Sequence, residues 1–223
     1  MIEPRRWLGR FLTALRPRRE HPLAGDRAIE WSWVVAHLPD APAEVLDLGC
    51  VGSALTGIAA RLGHRVTAVD LRPIEYEMDN VRPLQGDVRD LALPERFFGT
   101  IINCSTIEHI GLSGRYGVSA DQEHGDREVM KRLRNLLAPA GRMLLTLPIG
   151  LDAVFPPYHR VYGRETLPAL LDGYDILAEE YWIKATADGL WRRRDRQEAM
   201  DRPGGARHYA LGLFVLKAGT GHE

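Results

Sequence analysis

A carboxylate, two glycines and a second carboxylate early in the chain are spaced in a way that suits nucleoside binding. Asp47 comes just before Gly49 and Gly52, and Asp70 ends the apolar segment that follows. Gly49 permits a sharp turn, and Gly52 permits a close approach of the backbone to a ligand. A carboxylate at Asp70 can accept hydrogen bonds from both hydroxyls of a ribose. The spacing therefore predicts a site for a nucleoside-containing cofactor.

The order of charges and glycines distinguishes between two classes of cofactor. A nicotinamide dinucleotide site favours the spacing G-x-G-x-x-G, which packs glycines against a pyrophosphate. Here the glycines are Gly49, Gly52 and Gly57, and Asp47 precedes them. A carboxylate would repel a pyrophosphate, whereas it suits the ammonium and sulfonium groups of S-adenosylmethionine. The segment favours S-adenosylmethionine, and a helix-capping turn without a ligand is the remaining alternative.

Alternating strands and helices are predicted to position this segment. Apolar stretches predict strands at 44–49, 64–70, 81–86, 99–105, 142–148, 173–182 and 209–217, and helical spacing predicts helices at 26–38, 53–63, 125–138 and 164–171. This alternation is typical of an α/β fold with a doubly wound, mainly parallel sheet of seven strands. Ligands of such sheets bind beyond the carboxyl ends of the strands, where the strand order reverses.

The first 20 residues combine six arginines with apolar residues at helical spacing, which predicts an amphipathic basic helix. We expect residues 1–38 to form an N-terminal helical extension and residues 39–223 the catalytic domain. The basic helix could act as a lid or packing helix, make a weak contact with an anionic membrane surface, or bind a partner. The sequence leaves these three interpretations open, and it leaves the oligomeric state open.

Composition narrows the function classes. The net charge of −1 argues against nucleic-acid binding. No apolar run approaches the length of a membrane span. Cys50 and Cys104 are the two cysteines of the chain, too few for a disulfide framework. These features predict a cytoplasmic protein that does not bind nucleic acid.

Three short motifs resemble the Rossmann-like S-adenosylmethionine-dependent methyltransferase superfamily: Asp47-Leu48-Gly49-Cys50, Val69-Asp70 and Gly86-Asp87-Val88. The resemblance implies that the first acid frames the methionine moiety, the second binds the ribose and Asp87 meets the adenine amino group. It implies a cofactor site made of Asp47, Gly49, Cys50, Gly52, Ser53, Asp70, Leu71, Asp87, Val88, Cys104 and Ser105. The superfamily usually has D-x-G-C-G-x-G, and here Val51 and Ser53 replace two of the glycines, so we expect a differently shaped loop.

Glu108 and His109 follow the fourth predicted strand, at the position that faces the sulfonium in this superfamily. An imidazole is suited to accepting a proton from a hydroxyl acceptor near neutral pH. Glu108 could orient His109 or bind substrate, and His159 is expected at the same mouth. The predicted catalytic set is His109, Glu108 and His159, with a capping or packing role as the alternative. A hard divalent ion would need more carboxylates than these, so the predicted set includes no metal ligands, and a catalytic metal at this mouth is left open as the lesser alternative.

Segments 105–117, 145–150 and 158–163 resemble uncharacterised bacterial methyltransferases often found near sugar and polysaccharide biosynthesis. The resemblance places Arg115, Tyr116, Tyr158, Arg160 and Tyr162 on the acceptor side, where aromatic rings stack on sugars and arginines bind phosphate or carboxylate. It predicts O-methylation of a small polar acceptor, such as a sugar or an anionic glycan precursor. The alternatives are N-methylation, a nicotinamide-dependent oxidoreductase and a non-catalytic binding module.

Overall fold

The computed structural model describes residues 25–185 and 189–219. The predicted basic helix of residues 1–20 lies outside the described residues. The strands are β1 Glu44–Leu48, β2 Arg65–Asp70, β3 Val81–Gln85, β4 Phe98–Cys104, β5 Leu137–Ile149, β6 Ala153–Phe155, β7 His159–Val161, β8 Tyr174–Lys184, β9 Trp191–Arg194 and β10 Ala210–Ala218. The helices are α1 Asp26–His37, α2 Leu55–Arg61, α3 Gly125–Leu136, α4 Thr166–Leu170 and α5 Arg196–Met200, with a 3-10 turn at Ile107–His109.

The central sheet has the strand order β3-β2-β1-β4-β5-β10-β8-β9. The strands from β3 to β5 are parallel, and β10, β8 and β9 are joined through antiparallel pairings. The predicted doubly wound α/β fold is confirmed. The sheet has eight strands rather than seven because Trp191–Arg194 pairs with the end of β8. The three arginines that follow the buried Trp191 obscure this edge strand in the sequence.

The core lies on both faces of the sheet, which explains the nearly continuous apolar sequences of β1 and β4. Successive residues of these strands belong to opposite apolar clusters: Val45 and Ile102 to one, Leu46 and Ile101 to the other. α3 covers the second cluster with an apolar stripe at helical spacing that includes Leu133. Helices therefore cover both faces of the sheet, and a ligand can approach it at the ends of the strands.

α1 packs on the same face of the sheet as α2. Ile29, Trp33 and Val34 of α1 are buried in the cluster that also contains Leu55 and Ala59 of α2. This packing brings the first turn of α1 close to the end of β4. The predicted boundary at residue 38 stays a prediction.

The carboxyl ends of β1, β2, β3 and β4 meet at one edge of the sheet. The chain moves outward from β1 through β2 to β3 and returns to the other side of β1 with β4, so the strand order reverses between β1 and β4. Such a reversal opens a crevice because the connections leave in opposite directions. Within the described ranges, no helix has the length and apolar character needed to cross a bilayer.

Candidate active site

A cavity of about 740 Å³ lies at this reversal, which is a size typical of ligand sites. Most of the predicted site residues line it: Gly49, Gly52, Ser53, Asp70, Leu71, Asp87, Val88, Cys104, Ser105 and His109. The other predicted residues, Asp47, Cys50, Glu108 and His159, are buried and lie outside the lining. The crevice therefore unites the ends of β1 to β4, as the strand pattern predicts.

The glycine loop between β1 and α2 has two glycines with distinct roles. Gly49 has φ of 75°, and a Cβ there would lie 2.2 Å from Oγ1 of Thr106. Thr106 in turn donates to the carbonyl of Leu48 at 3.1 Å. Gly52 has φ of 85°, and no atom of the described residues lies within 4 Å of the position its Cβ would take. Gly49 thus allows the loop to pack on β4, and Gly52 leaves open space for a ligand.

Asp70, at the tip of β2, is held by Arg72 and by the glycine loop. Its Oδ1 accepts from the backbone N–H of Arg72 at 2.9 Å and from Nε at 3.1 Å. Its Oδ2 accepts from the backbone N–H of Val51 at 2.9 Å and from a terminal nitrogen of Arg72 at 3.1 Å. A carboxylate offers about four lone-pair positions, so these bonds occupy them all. Ribose hydroxyls can bind Asp70 only after Arg72 has moved.

Asp87, after β3, has a parallel arrangement with Arg89. Oδ1 of Asp87 accepts from the backbone N–H and the Nε of Arg89, and Oδ2 accepts from a terminal nitrogen at 2.6 Å. The Arg89 side chain lowers the pKa of Asp87. Arg89 also donates to Gln122 and Glu128. One lone-pair position of Asp87 remains for an amino group such as that of adenine.

The residues of this cavity fit S-adenosylmethionine. The two carboxylates stand at the ends of adjacent strands, where one can meet the ribose and the other the adenine. The open space at Gly52 leaves room for the backbone of the loop to approach the cofactor closely. The volume exceeds that of the cofactor alone and leaves space for an acceptor at the end lined by Ser105 and His109.

Asp47 and Cys50 lie behind the loop rather than at the cavity surface. Asp47 is 1% exposed and accepts a hydrogen bond from the hydroxyl of Thr56 in α2. Burial raises the pKa of Asp47 to about 7 and that of Cys50 to about 12. Asp47 therefore joins β1 to α2 under the loop, and the Cys50 thiol is protonated and unreactive near neutral pH.

The end of β4 is fixed by a buried polar network. Ser105 has φ of 47°, and its backbone N–H donates to the carbonyl and the hydroxyl of Thr146 at 3.0 and 3.1 Å. The hydroxyls of Ser105 and Thr146 both donate to Oε1 of Glu30, a fully buried residue of α1. A non-glycine residue in the left-handed region persists only when its surroundings fix it, and such residues cluster at functional sites.

His109 is held by its Nδ1, which donates to the carbonyl of Tyr158. This bond leaves Nε2 unprotonated in the neutral imidazole, and Nε2 lies 3.7 Å from Oε1 of Glu108. Burial lowers the pKa of His109 to about 4 and raises the pKa of Glu108 to about 8. Both groups are therefore neutral at pH 7, and His109 keeps a free lone pair.

His159 belongs to β7 and is 6% exposed, close to the site but outside the cavity lining. Its ring centroid lies 6.5 Å from that of His109 and 5.2 Å from that of Tyr209. Its Nε2 is buried without a hydrogen-bond partner among the described residues. In residues 25–185 and 189–219, no group of three His, Cys, Asp or Glu side chains is placed to bind a metal ion.

Of the residues expected on the acceptor side, Tyr116 lines the cavity, whereas Arg115, Tyr158, Arg160 and Tyr162 lie outside its lining. Tyr116, with φ of 54°, lines the cavity, and its ring lies 5.1 Å from the guanidinium of Arg72, 4.8 Å from that of Arg115 and 5.7 Å from the His109 ring. Arg160 is buried and donates to the carbonyls of Ile110 and Gln122.

Tyr162 is likewise buried and donates to Asp126 at 2.8 Å. The polar atoms of Arg160 and Tyr162 therefore make hydrogen bonds inside the protein. Arg160 holds the segment between Ile110 and Gln122, and neither residue lines the acceptor space.

Sequence reasoning missed several cavity residues, among them Arg27, Arg72 and Arg89. One signal was available for two of them. Asp70-Leu71-Arg72 and Asp87-Val88-Arg89 repeat the same spacing after two successive strands. In both cases the arginine turns back onto the aspartate.

The chain is similar to several known proteins. A family model described as "Caenorhabditis protein of unknown function, DUF268" matches residues 78–196. The ubiquinone biosynthesis O-methyltransferase of Xanthomonas campestris pv. campestris (strain B100) is 34% identical over 195 residues, 83% of this chain and 75% of that protein. The protein of the same name from Xanthomonas axonopodis pv. citri (strain 306) is 27% identical over 162 residues, and the match spans 68% of this chain and 62% of that relative's length.

A solved structure shares the fold. The N-methyltransferase NodS from Bradyrhizobium japonicum WM9, in complex with S-adenosyl-L-homocysteine, aligns with a TM-score of 0.59 at 16% identity, over 96% of this chain and 97% of that one. The fold, the cavity and these relatives define the class as the Rossmann-like, S-adenosylmethionine-dependent methyltransferases. Within that class, the chain belongs to the family described as "Caenorhabditis protein of unknown function, DUF268".

Proposed function

We propose that this protein transfers the methyl group of S-adenosylmethionine to an oxygen atom of a small polar acceptor. The observation that carries the proposal is the placement of His109. Its Nδ1 is tied to the Tyr158 carbonyl, so Nε2 is the proton acceptor, and the ring lines the cavity beside Ser105. A base at this position can take the hydroxyl proton as the oxygen attacks.

The cofactor supplies an electrophilic methyl group on its sulfonium, so the protein's main task is alignment. Asp70 and Asp87 would hold the nucleoside, and the loop between β1 and α2 would bind the rest of the cofactor. The ordered strand ends fix the distance between these groups and the acceptor end at Ser105 and His109. Correct alignment of nucleophile and carbon, with water excluded, accounts for most of the rate gain in such displacements.

A hydroxyl-bearing acceptor such as a sugar or glycan intermediate is the class that we propose. Support comes from the polar wall of the cavity, where Tyr116, Ser119 and Gln122 offer an aromatic face and hydrogen-bonding groups. The relatives from Xanthomonas are named as O-methyltransferases, which supports oxygen as the acceptor atom.

One observation favours a nitrogen acceptor as the second candidate. Burial lowers the pKa of His109 to about 4, which makes it a weak base. A neutral amine needs less help from a base than a hydroxyl does. N-methylation would therefore depend much less on His109.

The proposal is tested with S-adenosylmethionine that carries a deuterated methyl group. The protein is incubated with small-molecule fractions of a cell lysate, and products that gain the labelled methyl are identified by mass spectrometry. We expect labelled ethers from the native protein and none from the Asp70→Ala variant. Labelled amines would show that the acceptor atom is nitrogen instead of oxygen. The absence of any labelled product above the Asp70→Ala background would overturn the proposal.

A further inference from the structure

We infer that the acceptor carries an anionic group, a carboxylate or a phosphate, and that this group binds Arg27 and Arg115 near His109. The inference rests on the proposed methyl transfer and names the substrate class of the same site. Arg27 comes from α1 and lines the cavity, and Arg115 comes from the loop after the 3-10 turn, where it lies beside Tyr116, a residue of the lining.

Arg27 lines the cavity and has hydrogen-bonding capacity to spare. Its side chain is 51% exposed, and one terminal nitrogen lies 3.0 Å from Oε2 of Glu30. Among the described residues, this is its one side-chain hydrogen bond. A guanidinium carries five N–H donors in a planar fork, so Arg27 can bind Glu30 and an incoming anion together.

Arg115 has even less compensation for its charge. Its terminal nitrogen is 3.5 Å from the carbonyl oxygen of Tyr158, the same oxygen that accepts from Nδ1 of His109. Its guanidinium lies 4.8 Å from the ring centroid of Tyr116. No carboxylate of residues 25–185 or 189–219 forms an ion pair with it. Arg115 and His109 thus meet at one carbonyl, and the arginine charge stands beside the base.

The arginines at the cofactor end differ in this respect. Arg72 and Arg89 each bind an aspartate with two side-chain nitrogens. Near Arg27, Asp26 is half-buried, whereas Glu30 and Glu108 are buried, and burial raises the pKa of each of the latter two. These two acids therefore offset less of the positive charge than Asp70 and Asp87 do.

The excess of positive charge at one end of the cavity identifies the chemistry of the ligand. Guanidinium groups bind carboxylate and phosphate with short, charge-assisted hydrogen bonds, whereas an uncharged hydroxyl gains much less. Arg27 lines the same cavity as His109, the ring that would accept the acceptor's proton, and Arg115 shares the Tyr158 carbonyl with His109. An anion held there would place a nearby hydroxyl of the same molecule between His109 and the cofactor.

The experiment uses the full chain saturated with S-adenosylhomocysteine and measures binding by calorimetry. The probes are 3,4-dihydroxybenzoate and its uncharged amide, 3,4-dihydroxybenzamide, which differ in charge but little in shape. A second pair, glucose 6-phosphate and glucose, separates phosphate from carboxylate recognition. We expect at least one anion to bind about tenfold more tightly than its neutral partner, a difference typical of a charge-assisted hydrogen bond.

Variants then assign the preference to the two arginines. Arg27→Gln and Arg115→Gln should each remove most of the preference for the anion, and Arg27→Lys should retain part of it. The control is Arg142→Gln, which removes an exposed charge of β5. Arg142 is in register with Thr100, near the start of β4, and is far from the carboxyl ends of the strands where the cavity lies. It should bind both probes as the native protein does.

Equal binding of charged and neutral probes would overturn the inference, and so would a preference that survives in Arg27→Gln and Arg115→Gln. Affinity for S-adenosylhomocysteine, measured on every variant, reports whether each is folded with an intact cofactor site. If the native protein did not bind S-adenosylhomocysteine, the proposed function itself would be contradicted. Intact cofactor binding without an anion preference would contradict this inference alone.

Discussion

Arg72 holds the Asp70 carboxylate with its backbone N–H, its Nε and a terminal nitrogen, at 2.9 to 3.1 Å. With the N–H of Val51, these donors fill the positions that ribose hydroxyls would take. The same terminal nitrogen of Arg72 reaches the carbonyl of Val51 at 2.6 Å. Cofactor binding therefore competes with a contact that the protein makes with itself.

Replacing Arg72 with alanine should strengthen cofactor binding, because Asp70 then no longer has to release a guanidinium. Hydrogen bonds to charged groups contribute about 1.5–3 kcal/mol when buried and less when partly exposed, so we expect affinity for S-adenosylhomocysteine to rise about fivefold. Calorimetry measures the change. Arg82→Ala, an exposed arginine of β3, is the control and should leave affinity unchanged. Weaker binding in Arg72→Ala would mean that Arg72 itself contacts the cofactor.

Removing the imidazole should slow methyl transfer without weakening cofactor binding. We expect His109→Ala to lower kcat by about 10² to 10⁴, the range for loss of a general base. Affinity for S-adenosylhomocysteine should stay within about twofold, because Asp70 and Asp87 are untouched. His109→Gln separates the size of the side chain from its ability to accept a proton, since the glutamine amide can still reach the Tyr158 carbonyl but is not a base. A kcat close to native in His109→Gln would contradict the role of a base.

The pH dependence of kcat/KM should reveal the unusual environment of His109. Its pKa is lowered to about 4 by burial, so the proton-accepting form predominates above that pH. As pH falls from 8, kcat/KM should stay constant down to about pH 5 and then decline, because this profile reports the groups of the free enzyme. A decline centred near pH 6.5 would instead indicate an ordinary, solvated histidine.

Glu108 should impose a pH dependence on stability. Burial raises its pKa from 4.5 to about 8, so the folded state binds the proton more tightly than the unfolded state within that window. The free energy of unfolding contributed by Glu108 is therefore highest at low pH and falls as pH rises through the window. Glutamine resembles the protonated acid and lacks this loss.

Relative to the native protein, Glu108→Gln should thus become more stable as pH rises from 5 to 8, by about 2–4 kcal/mol. Urea unfolding at several pH values measures the difference. The titrations of Asp47 and His109 are common to both proteins and largely cancel. A difference that does not change with pH would show that the Glu108 carboxyl is ionised in the folded state at pH 7.

Local sequence was sufficient for the strand ends and the residues on them. Asp70, Asp87 and His109 follow apolar segments whose pattern predicts parallel strands, and the carboxyl ends of parallel strands share one edge. Contacts between distant segments were not predictable in this way. Glu30 of α1 accepts from Ser105 and Thr146, and nothing in the sequence near residue 30 indicates those partners.

Side-chain direction was also beyond the sequence. Asp47 lies in a motif associated with the cofactor, yet its carboxylate turns to Thr56 because the residue sits within β1 and is covered by α2. Glu108 and His109 are neighbours in sequence, but the 3-10 turn buries the first and leaves the second at the cavity.

The measurement that tests the account most directly is a calorimetric titration of S-adenosylhomocysteine into the native protein and its Asp70→Ala variant, with NADH as the comparison ligand. The account predicts saturable binding of S-adenosylhomocysteine to the native protein, at least tenfold weaker binding to Asp70→Ala, as the loss of charged hydrogen bonds costs about 1.5–3 kcal/mol, and no binding of NADH. Equal affinity of the two proteins, or binding of NADH in place of S-adenosylhomocysteine, would contradict it.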